Sequence, residues 1–309
     1  MIEPDFRLPV IPVVVAVLAL VSAATGQDCQ QAQALGRQAY EARRYDDAAQ
    51  HFTRAVKVCG PNTALWLALG QAQLLARDPA EALATLERIP AGSSDYVQAL
   101  KVKAKAQYLL HRDDDAKATL KRAADRAPAD AEVPYDLGRI DYQQGRHAEA
   151  AVLLRRATTL DPNSYKAWDA LGLATEALGS VSEAQQLYLK AIALVHTAHP
   201  HYDVVYANFA DLMIKVGDYQ RAFDLAAEAA ERNPDEARNF FLAGKALVQL
   251  GRADISLRWF ERAIVLDADY PEAHYQLAQA YRRLGRTEDA ERALKAFQAA
   301  SARAPRERR

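Results

Sequence analysis

The chain has 309 residues, a length that on its own suggests two domains of about 150 each. Half of it is hydrophobic, enough to build a core and to exclude global disorder. Lys plus Arg is 39 against 40 Asp plus Glu, and the net charge of −1 excludes a basic nucleic-acid binder. The 13 Gly and 13 Pro stand against 64 Ala, so helices are expected rather than many short strands. Two Cys exclude a disulfide-rich scaffold and a four-Cys zinc site.

The first residues differ from the rest. Leu8 to Val21 is a nearly unbroken apolar run, followed by Ser22, Ala23, Ala24, Thr25 and Gly26. The run is short of the ~20 residues a membrane span needs. An apolar run followed by small residues reads as a signal peptide over residues 1–26, which makes the mature chain exported, periplasmic or extracellular. Glu3 and Asp5 offset Arg7 in the segment before the run, so an uncleaved inner-membrane anchor is the alternative. Gly26-Gln27-Asp28 before Cys29 is not a lipid-attachment pattern.

Beyond the leader the sequence repeats. Gly36, Gly70, Ala104, Gly138 and Gly172 lie 34 apart, and after four extra residues the series resumes at Ala210, Gly244 and Ala278. Twelve residues after each comes another small residue: Ala48, Ala82, Ala116, Ala150, Ala184, Ala222, Ser256 and Ala290. Units start at 29, 63, 97, 131, 165, 203, 237 and 271, with a four-residue insertion at 199–202 and a basic tail at 305–309. Each unit splits into two helices of 12 to 14 residues. Small residues at positions 8 and 20 of the unit let the pair approach, and bulky ones at position 24, such as Phe52, Leu154, Tyr188 and Phe260, fill the layer between. Gly145, Gly179, Gly217, Gly251 and Gly285 end first helices, where a left-handed residue is needed. Arg43, Arg77 and His111 stand there in units one to three, so those turns are expected to be less ideal. Asp161-Pro162 and Asn233-Pro234 end second helices.

Trp66, Leu69, Gly70 and Ala82, then Leu137, Gly138, Ala150, Leu154, Ala157 and Pro162, then Trp168, Leu171, Gly172 and Ala184, carry a resemblance to the tetratricopeptide repeat family. The resemblance covers nearly all of the chain after the leader. It implies an all-α fold, a right-handed α-solenoid of eight 34-residue helix-turn-helix units in which each unit touches its neighbours. It also implies a concave groove lined by positions 2, 5, 9, 12 and 13 of the first helices. Read off for units one to four, the partner-binding candidates are Arg37, Tyr40, Gln71, Leu74, Lys101, Lys105, Tyr108, Tyr135, Arg139 and Tyr142. A ladder of basic residues and tyrosines suits a protein or peptide partner with an acidic or C-terminal carboxylate segment. The same residues also read as ordinary fold upkeep and solvated surface. The pattern is not the carboxylate clamp of chaperone-binding members, because the first unit has Gln33 and Arg37 where that clamp needs Lys and Asn. Units five and six are more acidic at these positions, with Asp169, Glu176 and Asp211 beside Lys166 and Lys215.

Two further features stand out. His196, His199 and His201 cluster at the insertion, and clustered imidazoles can bind a metal. His199-Pro200 also resembles the His-Pro connector of longer family members, which starts the next helix and holds no metal. Cys29 and Cys59 are the first residue of one helix and nearly the last of its antiparallel partner, so a disulfide is geometrically reasonable; two ordinary thiols are the alternative. No catalytic motif is present, and outside the repeats only leader and tail remain, so no enzyme and no cofactor are expected. The resulting expectation is a non-enzymatic interaction scaffold, placed by analogy in assembly of an envelope, secretion or pilus complex. The rivals are a metal-handling periplasmic protein using the His cluster and a membrane-anchored or cytoplasmic regulator. Contact with a membrane is expected only if the leader is uncleaved, and no contact with nucleic acid is expected.

Overall fold

The computed structural model describes residues 11–303 apart from 61 and 197, with side chains from Gly26 onward. The start of the expected leader and the expected basic tail 305–309 lie outside the described residues. Sixteen helices and no strand occur among the described residues. The chain divides into two units, Met1–Asp136 and Leu137–Arg309, with the boundary inside one helix.

The first unit holds α1 (Ile11–Glu41), α2 (Tyr45–Cys59), α3 (Thr63–Leu75), α4 (Pro79–Leu86), α5 (Tyr96–Leu109), α6 (Asp113–Arg126) and the start of α7 (Glu132–Gln143). Helices α1 to α5 each pack on the next, and α3 also meets α5. Residues 11–26 of the expected leader are the start of α1, continuous with the first helix of the first repeat. Side-chain caps fix two of the starts. Asn62 accepts from the Leu65 N–H at 3.0 Å, and Asp78 accepts from the Glu81 N–H at 3.2 Å with Pro79 at the first helical position. Helix α4 departs from the expected length, because it has eight residues rather than 12 to 14. Pro90 lacks the N–H a longer helix would use and disfavours helix at Ile89. The chain then turns through Ser93, whose hydroxyl accepts from the Asp95 N–H at 3.0 Å.

The second unit holds the rest of α7, then α8 (His147–Leu160), α9 (Tyr165–Ala177), α10 (Val181–Val195), α11 (Val204–Val216), α12 (Tyr219–Arg232), α13 (Ala237–Gln249), α14 (Ala253–Leu266), α15 (Pro271–Arg283) and α16 (Thr287–Arg303). From α8 on each helix packs on its successor, and α9, α11, α13 and α15 also meet in sequence. That last set of contacts brings the first helices of successive repeats side by side. Helices α8 and α12 stop at Leu160 and Arg232, just before the Asp-Pro and Asn-Pro steps.

The packing inside each helix pair is steric. A Cβ added to Gly36 would lie 2.7 Å from the Phe52 ring, and the same holds for Gly70 with Leu86, Gly138 with Leu154, Gly172 with Tyr188 and Gly244 with Phe260 at 2.6–2.7 Å. Where position 8 is alanine, at Ala104, Ala210 and Ala278, position 24 of the same repeat is Leu120, Ala226 and Leu294. The alanines at position 20 are buried in seven repeats, and Ser256 in the other turns its hydroxyl back to the Ala253 carbonyl at 2.7 Å.

First helices end alike throughout. The residue after the left-handed position donates to the carbonyl five residues back, as Arg44 does to Ala39 and Asp218 to Met213, at 2.9 and 3.0 Å. Glycine takes the left-handed position in the later repeats. Arg43, Arg77 and His111 take it in the first three with φ of 58°, 64° and 56°. Those turns are strained in backbone conformation while keeping the same hydrogen bond.

Candidate functional site

The ten groove residues divide between the units, eight in the first and two in the second. In the first, Arg37 is exposed, Gln71 is half-buried, and Tyr40 sits edge-on to Tyr45 with ring centroids 5.5 Å apart. Leu74 packs into the core against Leu83 and Ala106, so its role is in the layer between helices. Lys101 is 7% exposed and donates to Asp130 at 2.8 Å and Glu132 at 2.7 Å. Lys105 donates to the other oxygen of Glu132 at 2.5 Å and lies 3.7 Å from Asp136. Burial alone would lower the pKa of both lysines, but the carboxylates more than offset it and both end raised. Glu132 is held below its ordinary value: burial would raise it, and its hydrogen bonds to Lys101 and Lys105 outweigh that. Two rungs of the basic ladder are thus neutralised by the protein's own acids at the end of the third repeat and the start of the fourth. Tyr108 and Tyr135 are half-buried on the same helices.

Cys29 and Cys59 are joined in a disulfide with Cα atoms 5.0 Å apart, and the Gln33 amide lies 3.2 and 3.3 Å from the two sulfurs.

In the second unit Arg139 is exposed, and the Tyr142 ring packs on His147 at 5.2 Å, its phenol raised by burial. The first helices that follow carry a connected polar network. Asp169 is 4% exposed and accepts from the Asn208 amide at 3.0 Å and the Tyr202 hydroxyl at 3.2 Å. Asn208 in turn accepts from Arg238 at 3.0 Å. Burial pushes the Asp169 carboxyl up to about 6, because the bonds from Asn208 and Tyr202 and the charge of Arg238 only partly compensate for lost solvation. Glu176 accepts from the buried Tyr188 hydroxyl at 2.7 Å and from Lys215 at 2.8 Å, while Lys215 also pairs with Asp211 at 2.8 Å. The sequence reading singled out Asp169, Glu176, Asp211 and Lys215 but missed Asn208 and Arg238. Arg238 is at position 2 of its repeat, a groove position, so its signal was present. Asn208, at position 6, carried none.

The histidines at the insertion do not converge. His196 turns Nδ1 to Arg232 at 3.3 Å and to the Tyr206 hydroxyl at 3.4 Å. His199 packs its ring on Tyr165 at 4.5 Å, and His201 is exposed. Arg232, 9% exposed, lies over the Tyr206 ring at 4.3 Å and reaches the His196 and His199 carbonyls at 3.4 Å. No group of three or more His, Cys, Asp or Glu among the described residues could hold a metal ion. The insertion is a connector pinned by an arginine. Helix α11 starts at Val204, four residues past Pro200, rather than at the His-Pro step.

A family model described as the tetratricopeptide repeat protein 21 C-terminal ARM domain matches residues 65–239, more than half of the chain. A TPR repeat model matches 244–285 and a tetratricopeptide repeat model matches 271–301. The chain belongs to the tetratricopeptide-repeat family, with the all-helical solenoid fold of that class, and the scaffold is of the protein-interaction type. Among solved structures it is similar to Cut9–Hcn1 of the APC/C at 13% identity, over 84% of this chain and 50% of that one, with a TM-score of 0.65. It is similar to PilF of Pseudomonas aeruginosa at 22% identity over 57% and 78%, TM-score 0.51, and to MamA of MSR-1 at 26% over 56% and 97%, TM-score 0.46.

Proposed function

We propose that the protein is a non-enzymatic scaffold that seats an extended or helical segment of a partner along the first-helix faces of its repeats. The observation that carries this is the arrangement of those faces. In the first unit Tyr40, Tyr108 and Tyr135 stay half-buried rather than enclosed and Arg37 is exposed; in the second Tyr142 is half-buried and Arg139 exposed. Tyrosines in this state offer contact area and a polar tip to an incoming chain. The partner segment carries carboxylates for the exposed arginines to hold. The apolar leader supports an activity outside the cytoplasm, and analogy with exported repeat proteins supports a role in assembly of an envelope, secretion or pilus complex. A second reading, an inner-membrane anchored scaffold, is favoured by the unbroken course of α1 from the leader into the first repeat; N-terminal sequencing of the mature chain decides between cleaved and anchored forms.

The test is site-specific crosslinking in the native host. A photoreactive residue at Tyr108 or Tyr142 should give a discrete adduct identified by mass spectrometry. The same residue at Val152 or Val265, which are 67% and 73% exposed on second helices, should not. Adducts from the second-helix positions alone would overturn the assignment.

A further inference from the structure

The second unit contains a polar chain with no evident architectural need. Tyr202 of the connector and Asn208 of α11 both donate to the buried Asp169 of α9, and Arg238 of α13 donates to Asn208. Three segments meet at one carboxylate, and Asn208 links a fourth. Arg238 is half-buried, commits one N–H to Asn208, and acts electrostatically on Tyr142 and Tyr270 as well as on Asp169. A guanidinium has five N–H donors, and among the described residues the side-chain partner of this one is Asn208. Both phenols are raised, Tyr142 and Tyr270 each chiefly by burial, so both remain protonated. A half-buried arginine on this face, held at one edge by Asn208, is a site for a carboxylate.

We propose that Arg238 is a binding site for a carboxylate of the partner segment, and that Asp169, acting through Asn208, gates it by taking up a proton. This rests on the reading of the first-helix face as the partner-binding face. With Asp169 ionised, its Oδ1 holds the Asn208 NH2 and its Oδ2 the Tyr202 hydroxyl, and the Asn208 carbonyl is thereby aimed at Arg238. When a solvent proton adds to Oδ1 of Asp169, the oxygen facing Asn208 becomes a donor while Oδ2 keeps the Tyr202 hydroxyl. Asn208 then turns its carbonyl to that proton and its NH2 to Arg238. Two donors face each other, and the guanidinium is freed for a ligand carboxylate. Protonation also removes one negative charge beside Arg238, so both effects favour an anion at acid pH.

The groups facing Asp169 are accounted for. Tyr142 of α7 and Tyr188 of α10 feel its charge, Arg238 is the charged group that acts on it, and Glu176 on its own helix is engaged by Tyr188 and Lys215. The desolvated carboxyl changes charge at about 6, within reach of ordinary acidification. His199 sits on Tyr165, which also touches Tyr202 with ring centroids 4.6 Å apart, and is the nearest imidazole in that contact chain. His199→Gln is therefore the control.

The probe is a rhodamine-labelled hexa-aspartate peptide, whose carboxylates stay largely ionised down to about pH 5. Wild-type protein should bind it about fivefold or more tighter at about pH 5 than at about pH 7.5, the range of ordinary coupling between sites. Asp169→Asn, isosteric with the protonated acid, should bind at the acid-side affinity at both pH values. Arg238→Gln should bind weakly at both, and His199→Gln should keep the wild-type response. A flat wild-type profile, a pH response that survives in Asp169→Asn or is lost in His199→Gln, or unchanged binding by Arg238→Gln would each overturn the gate. Linkage adds a test without substitution: saturating peptide must raise the midpoint of the Asp169 carboxyl carbon in a 13C titration, and an unmoved midpoint refutes the coupling. Flat peptide binding together with first-helix crosslinks would sink the gate and leave the scaffold standing. Gated binding together with crosslinks from second helices alone would do the reverse.

Discussion

Replacing Gly244 by alanine puts a methyl group 2.6 Å from Cε1 and 2.8 Å from Cδ1 of Phe260, a ring with no exposed surface. Overfilling a packed layer costs about 1–3 kcal/mol. Alanine returns about 1 kcal/mol of helix propensity in the interior of α13. The net expectation is a loss of about 0–2 kcal/mol. Phe260→Leu alone removes ring atoms from a full cavity and costs about 1–2 kcal/mol. The double variant rebuilds the alanine–leucine pairing already present at Ala104 with Leu120 and Ala278 with Leu294. The new methyl then fills space the smaller side chain vacates. A favourable coupling of at least about 1 kcal/mol is expected, well above the ~0.3–0.5 kcal/mol scatter of independent sites. Urea unfolding of the four proteins, followed by far-UV circular dichroism, measures it. Additive losses, or a stabilised Gly244→Ala protein, would refute the idea that the ring sets the approach of α13 and α14.

The strained turns give a second test. Glycine at 43, 77 and 111 removes left-handed strain of about 1–2 kcal/mol per site and restores about 0.4–1 kcal/mol of unfolded-chain entropy. The triple variant should therefore gain about 1.5–3 kcal/mol in urea at unchanged slope, and a lower midpoint would show that the side chains hold those turns in some other way. A third test concerns pH. The Asp169 pKa is raised from 3.8 to about 6, so the native state holds this proton more tightly than the unfolded chain. Its contribution is greatest at low pH, is lost as pH rises from about 4 to about 6, and is flat above, a change of ~3 kcal/mol. Asp169→Asn should lack that decline and be the more stable protein at neutral pH. Parallel stability curves for the two between about pH 4 and 6.5 would contradict the shift.

The glycine and its bulky opponent were legible in the sequence because both lie in one repeat, sixteen residues apart, and their contact is set by volume. Charge pairing was not. Lys101 meets Asp130 and Glu132, and Asp169 meets Tyr202 and Asn208. Those partners stand roughly one repeat further on, so a column of like positions shows the ladder and hides what neutralises it. Position 5 of one repeat faces the connector and the opening turn of the next. The short α4 was equally hidden, since Pro90 was weighed neither as a breaker nor as a cap.

The bond between Cys29 and Cys59 has a mechanical consequence. A pull on the residues before Cys29 does not have to run along the rest of α1, round its turn and back down α2. The tie delivers the load at Cys59 as well, directly ahead of α3, and shields the helix pair between the cysteines from being unzipped. The thirty residues it spans, about 110 Å of extended chain, are withheld from the contour length until a reductant is supplied. Under tension the oxidised protein extends from α3 onward, and its first helix pair acts as a rigid shackle.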